Sequence, residues 1–378
     1  MANTKYKSTG AEGWFDREEN LDKLAAHGNP LKRLSSAIDF ELFREELERG
    51  MLNTGKTSNA GQKPLDPVMM FKIIVIKKLY GLSDAQAQYQ IIDRLSFREF
   101  LGLSSGDRVP DEKTIWKFNE ELTKKGLERK LFDLFLAFLD KAGVICRSGV
   151  IVDASFVEVP RQRNHRDENE AIKNGEGGKL WQDAPRKKAQ KDIDARWTKK
   201  NNQTFYGYKN HAKVDAKSKL VIDYATSSAS VHDSQLMPEL ITPGDAPQDV
   251  YADSAYAGEP IAKDLETKGV GNKIHEKGKK NAPLTDEQKA SNKEKSKIRV
   301  RVEHAFGFMT CSMGRLFERV IGARRAGGGI GLINLVYNLC RYEQIKRLKI
   351  ELTPAPATSA EVITSTAAAA HAPCPAAT

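Results

Sequence analysis

The chain has 378 residues, enough for a substantial core and two domains, and carries 60 Lys and Arg against 50 Asp and Glu. A net charge of +10 and a pI near 9.2 favour an anionic partner, nucleic acid first, although an ordinary basic cytosolic protein has the same balance. The scattered Cys146, Cys311, Cys340 and Cys374 form no Cys-x-x-Cys pair, which argues against a zinc site or disulfide framework and for reduced thiols.

The first residues, MANTKYKSTGAEGWFDREENL, have no apolar signal core and read as an N-terminal arm over 1–29. From 30 to 142 the pattern is helical. FELFREELERGML sets Phe40, Leu42, Phe43 and Leu47 at helical spacing. VMMFKIIVIKKLYGL, the most apolar stretch, is broken by Lys72, Lys77 and Lys78, so no membrane span is expected. Its helix starts with Asp66 as N-cap and Pro67 at the first position. Ser83 and Gln86 form a capping-box pattern, and Ile115, Phe118 and Leu122 mark a further apolar stripe. Short helices joined by tight turns resemble a helix-turn-helix bundle that places one helix in the major groove; a purely structural or dimerising bundle has the same periodicity.

From 143 to 350 strands and helices alternate. The first strand is Val150–Val159. A charged stretch at about 160–203 follows, then a hairpin whose turn is DAKSK. A short helix DSQLMPELI, a strand in DVYADSAY, a helix closed by Gly269 and a short strand VGNKIHEK come next. A long helix begins after Thr285. GARRAGGGIGL lacks the Gly-Lys-Ser/Thr ending of a phosphate-binding loop and reads as a flexible turn before a last apolar helix. The order is mixed α/β. The Ala/Pro/Thr-rich tail, 351–378, is expected to be disordered, and no internal repeat is visible.

Asp153 interrupts the first strand. Ile151, Asp153, Ser155, Val157 and Val159 lie on one face, and Val150, Val152, Ala154, Phe156 and Glu158 on the other. Apolarity on both faces marks a central strand, where a carboxylate must be paired, hydrogen-bonded, at an edge or on a metal. Asp253 ends DVYADSAY, where an aspartate also serves as turn or cap residue. Glu303 lies beside the stripe Ile298, Val302, Ala305 and Met309, and with Arg299 one turn earlier it alone reads as a surface ion pair. Together the three acids can gather at one end of a sheet, where they repel one another unless a cation intervenes. Mg²⁺ or Mn²⁺ suits such oxygen donors, and two ions about 3.5–4 Å apart can clamp the attacking and leaving oxygens of a phosphoryl displacement.

Several stretches carry a family resemblance over about 13–346. They are GLSDAQAQYQIIDRLSFREFLGL, PDEKTIWKFNEEL, GVIVDASFVEVP, YGYKNHAKVDAKSKLV, VHDSQ, VYADSAYAG and IRVRVEHAFGFM. With these the chain resembles bacterial DDE transposases of the insertion-sequence-five family. The resemblance implies an α/β RNase H-like mixed sheet flanked by helices, preceded by an all-α N-terminal domain. It makes Asp153, Asp253 and Glu303 both catalytic residues and metal ligands. It implies hydrolysis of DNA strands at terminal inverted repeats and joining of the 3′ ends to target DNA, with Mg²⁺ or Mn²⁺, two ions, as cofactor. Its partners would be transposon-end and target DNA and a second copy in a synaptic homodimer, with no membrane, in the bacterial cytoplasm at the nucleoid. An RNase H-like nuclease without strand transfer, or an inactive DNA-binding relic, are the alternatives.

In the family's Tyr–Arg–Glu–Lys signature, Arg299 and Glu303 are present. Ser296 stands at the Tyr position and Thr310 at the Lys position, with Arg301 or Arg315 as nearby substitutes. His232 and Asp233 of VHDSQ support the site or form an ordinary turn. The basic stretch after the first strand, with Trp181 and Trp197 interleaved, either lines the DNA path or is a solvated loop. The candidate DNA contacts are Arg161, Arg163, Lys187, Lys188, Lys209, Arg299, Arg301, Arg324 and Arg325.

Overall fold

The computed structural model describes residues 13, 15–52, 63–104, 106–200, 202–278, 282–314 and 316–352. The tail from 353, most of the first residues and Arg315 lie outside them. Helices come first: α1 (Asp16–Ala26), α2 (Pro30–Ala37), α3 (Arg44–Met51), α4 (Pro67–Tyr80), α5 (Asp84–Asp93), α6 (Leu95–Leu101), α7 (Glu112–Lys124) and α8 (Leu127–Lys141). The expected caps form: Asp66 accepts from the Met69 N–H, and Ser83 and Gln86 exchange both bonds of a capping box. α1 occupies the stretch expected as an arm, and the single helix expected after Ser83 breaks at Arg94, whose backbone is extended. α4 is buried along most of its length, and Phe40, Phe43, Phe71, Phe100 and Phe135 meet around it. Such ring pairs contribute roughly 0.5–1.5 kcal/mol each beyond the area they bury.

The second half begins with β1 (Val150–Glu158), then α9 (Arg166–Lys173), α10 (Pro185–Ala189), β2 (Arg196–Lys200), β3 (Gln203–Asp215) and β4 (Val221–Ser228). α11 (Met237–Leu240), β5 (Asp249–Tyr251), α12 (Glu259–Thr267), β6 (Gly271–Asn272), α13 (Asp286–Arg299), α14 (Arg301–Gly307) and α15 (Ala323–Arg347) complete it. β1 lies between β3, to which it is antiparallel, and β5, to which it is parallel. β4 is antiparallel to β3, and β6 parallel to β5. The path β4-β3-β1-β5-β6, antiparallel then parallel, makes the mixed sheet flanked by helices that was expected. β2 adds to β3 over Gln203–Gly207. β1 is the central strand its two apolar faces require: Ile151 and Val157 join the core under α14 and α15, while Val150 and Val152 join the core under α11 and α12.

Two further expectations fail. The helix after Thr285 is not continuous. It tightens at Val300, where the Glu303 N–H donates to the Val300 carbonyl, so Arg299 ends α13 and Glu303 lies in the first turn of α14. The glycine-rich stretch 322–332 is not a flexible turn but the start of α15. Glycine is a poor helix former, yet here close approach decides. A Cβ on Gly328 would meet Thr123 Cγ2 at 2.3 Å, and one on Gly331 would meet Tyr224 Oη at 2.4 Å. Small residues let α15 sink between the helical half and the sheet.

α15 joins the halves. It packs on α2, α4, α7 and α8 and on β3 and β4. Two buried asparagines pin it to the sheet: Asn334 exchanges amide bonds with Asn210 at 2.8 and 3.1 Å, and Asn338 holds the Val221 N–H and carbonyl at 2.9 and 2.7 Å. One apolar cluster therefore runs from Leu31 through the helices and the sheet to Ile345. No helix among the described residues is long and apolar enough to cross a membrane.

Candidate active site

Alternation along β1 turns Asp153 to the same face as Ile151 and Val157, toward α13 and α14. There Arg299 Nη1 lies 3.2 Å from Asp153 Oδ2 and 3.8 Å from Glu303 Oε1. One guanidinium thus bridges two of the three acids, supplied by a strand and by the helix pair packed on it. The third is set by register. Ile151 stands opposite Tyr251, the last paired position, so Asp253 leaves the sheet two residues beyond it, at the same end of β1 toward which Asp153 lies. The chain has left β5 by then, and the Asp253 side chain caps the 3₁₀ turn Ser254–Tyr256 by accepting from the Ala255 N–H. Among the described residues no three His, Cys, Asp or Glu side chains converge closely enough to hold an ion.

Burial pushes the Asp153 carboxyl up to about 6, and the Glu303 charge adds to this, while the Ala154 N–H at 2.8 Å, Arg299 and Lys200 favour the anion. Tyr256, three residues after Asp253, is buried with its hydroxyl unpartnered, and burial with the charges of Asp153, Asp233 and Asp253 raises its pKa. Tyr256 escaped the sequence reading, and its spacing from Asp253 was the available signal. Arg299 Nε is a second buried polar atom without a partner. The carboxylate oxygens are the donors a hard divalent cation takes, while in this arrangement the Arg299 guanidinium occupies the space between two of them. Ser296 bonds the Asn292 carbonyl and His275, and Thr310 the Phe306 carbonyl, so neither reaches the acids. Arg301 donates to the Ala216 carbonyl at 2.9 Å.

The basic stretch after β1 is folded. Glu168 gathers it: Lys187 and Trp181 Nε1 each donate to Oε1 at 2.7 Å, and these bonds with the His165 N–H hold the carboxyl down at about 2. Buried Asp192 accepts from the Tyr208 hydroxyl and the Gly322 N–H, tying the stretch to β3 and to the start of α15. Trp197 on β2 is exposed, with the Arg161 guanidinium 5.7 Å from its ring.

The expected DNA contacts divide into two groups. Arg161, Arg163 and Lys188 reach the surface without a strong carboxylate partner, Arg161 standing 3.7 Å from Glu158. Others are engaged inside the protein. Lys209 is buried on Asp233 and the Val231 carbonyl, because its strand position faces the core; this gives Asp233 of VHDSQ a structural partner. Arg324 and Arg325 both bind Glu120 and so fasten α15 to α7. Lys187 holds Glu168.

The family comparisons agree with this architecture. The transposase DDE domain matches residues 145–339, more than half of the chain and inclusive of all three acids, and a second transposase domain (DUF772) matches residues 19–121. A solved piggyBac transposase, in a synaptic complex with hairpin DNA, is similar at 12% identity over 85% of this chain and 77% of that one, with a TM-score of 0.43. That likeness is too loose to bear on residues or mechanism. The chain belongs to the transposase DDE-domain family and is a DNA transposase.

Proposed function

We propose that this transposase binds the terminal inverted repeats of an insertion sequence, cuts DNA strands there and joins the 3′ ends to target DNA, with Asp153, Asp253 and Glu303 as its catalytic acids. The observation that carries the reading is the convergence of Asp153 and Glu303, from distant parts of the chain, on the single guanidinium of Arg299. The family implies dependence on a divalent metal. The three acids would hold Mg²⁺ or Mn²⁺, two ions in this reading. When bound, the metal offsets the charge of the acids and activates the attacking oxygen.

The chain's own residues do the rest. Arg299 keeps the Asp153 and Glu303 carboxylates facing each other, and the buried setting of Asp153 excludes bulk water. Arg161, Arg163, Lys188 and Arg301 contact phosphates, supplying salt-sensitive affinity, and Trp197 offers a ring for an unpaired base. The helical half reads the ends, and two copies hold two ends in the bacterial cytoplasm.

The test is a cleavage and strand-transfer assay on a terminal-inverted-repeat duplex with Mg²⁺ or Mn²⁺. Asp153→Ala, Asp253→Ala and Glu303→Ala should each abolish cutting and leave DNA binding intact. Normal cutting by any of the three removes that acid from the site. Cutting without joining would make the protein a nuclease.

A further inference from the structure

A cavity of about 740 Å³ opens beside Glu303, which is one of its lining residues. Its walls come from α2, the β3–β4 turn, α14 and α15. Four of its side chains are formally cationic (Arg33, Lys219, Arg341 and Arg347), and only Glu303 and Glu343 oppose them. Glu343 is already taken, 3.3 Å from Arg33 and 2.8 Å from Arg347. Glu303 faces Arg299. Lys219 and Arg341 are left without a carboxylate.

The partners of these two are neutral or missing. Arg341 donates to the Ser218 carbonyl at 2.8 Å and to the Gln344 side chain. The Lys219 ammonium has no hydrogen-bond or ion-pair partner among the described residues, although the side chain is half-buried. His304, which also lines the cavity, adds a ring with no side-chain bond among the described residues. The electrostatics agree: burial and then the charges of Arg341 and Arg301 lower the Lys219 pKa, and burial lowers that of Arg341. Partly buried like charges held together without a counter-ion carry a standing cost, and a fold that keeps them leaves a place for an anion. The volume suits a nucleotide-sized group, and guanidinium and ammonium donors suit phosphate oxygens.

We propose that the cavity bounded by Lys219, His304 and Arg341 is a phosphate-binding site that receives a backbone phosphate of the DNA strand lying across Glu303. The proposal rests on the reading of Glu303 as a catalytic acid and deepens it by assigning the residues that seat the neighbouring nucleotide. None of the three belongs to the basic stretch after β1.

The test uses the full chain with chelator present, so that binding is read apart from cutting. Affinity for a fluorescein-labelled terminal-repeat duplex is measured by anisotropy across a salt series. Lys219→Gln is the cleaner variant because it breaks no hydrogen bond or ion pair of the side chain; Arg341→Gln is the second. Each should lower the slope of log affinity against log salt by about 0.9, the value for one lost phosphate contact. Lys289→Gln, on exposed α13, should leave the slope unchanged. Without DNA, Lys219→Gln should melt no lower than wild type, since it removes a repelled charge. Inorganic phosphate should raise the midpoint of wild type more than that of the variant.

An unchanged slope in both variants overturns the proposal. So does a large fall in midpoint for Lys219→Gln, which would make the lysine structural. A midpoint response to phosphate with no change in slope would mark a free-anion site and overturn the assignment to the strand. Because cutting by wild type is scored separately with Mg²⁺, loss of this proposal leaves the transposase reading standing.

Discussion

At the scale of single residues, Asp153 is the most consequential side chain. Its carboxyl sits at about 6 against an ordinary 3.8, a gap of about two pK units or about 3 kcal/mol at 1.36 kcal/mol each. For a raised carboxylate the sign is fixed: its contribution to stability is full below its unfolded pKa and is lost as pH rises through the folded value. Asp153→Asn, in chelator, should therefore be more stable than wild type at about pH 8, with the gain closing toward about pH 4. Urea unfolding at both pH values checks this, and a variant less stable than wild type at the higher pH contradicts it. The same substitution should abolish cutting, so the position holds function at the expense of stability. Asp153 was legible in the sequence because a carboxylate in a doubly apolar strand is an anomaly. Lys219 and Arg341 were not, because each alone is an ordinary surface cation and only the folded chain brings them into one cavity.

At the scale of elements, caps and alternation wrote themselves plainly into the sequence. The starts of α4, α5 and α13 and the β3–β4 hairpin follow from Asp66, Ser83, Thr285 and the DAKSK turn. β2 and the start of α15 did not. The alternation of β2 is hidden by its charges, RWTKK, and it is a strand because β3 offers an edge. The glycines of α15 are helical because neighbours press against them, a tertiary effect outside any local propensity. Two glycines separate these influences. Gly328→Ala should destabilise by roughly 1–3 kcal/mol through its clash with Thr123, despite alanine's better helix propensity. Gly307→Ala, in α14 with nothing within 4 Å of the added methyl, should stabilise by up to about 1 kcal/mol. Denaturation of the two variants side by side checks the contrast, and equal effects would remove packing as the reason for glycine in α15.

At the scale of the molecule, the expected division near residue 142 marks a change of secondary structure but not a gap in the core. Leu31, Phe71, Phe135, Val221 and Leu335 belong to one buried cluster, with α15 shared by both halves. Cooperative units follow continuous cores, so helical half and sheet should unfold in one calorimetric transition. Two resolved transitions would show the halves to be independent. The acids inherit this rigidity, since the helix pair carrying Arg299 and Glu303 and the strand carrying Asp153 are parts of the same packed body.

The position of α15 in the chain has a further consequence. It is the last of the described elements to be translated, yet α2, α4, α7, α8 and β4 are made earlier and pack on it. A chain still on the ribosome has synthesised these partners without the piece that joins them, leaving apolar helix faces and the edge of β4 uncovered. Completion of the fold therefore waits until α15 itself has been made.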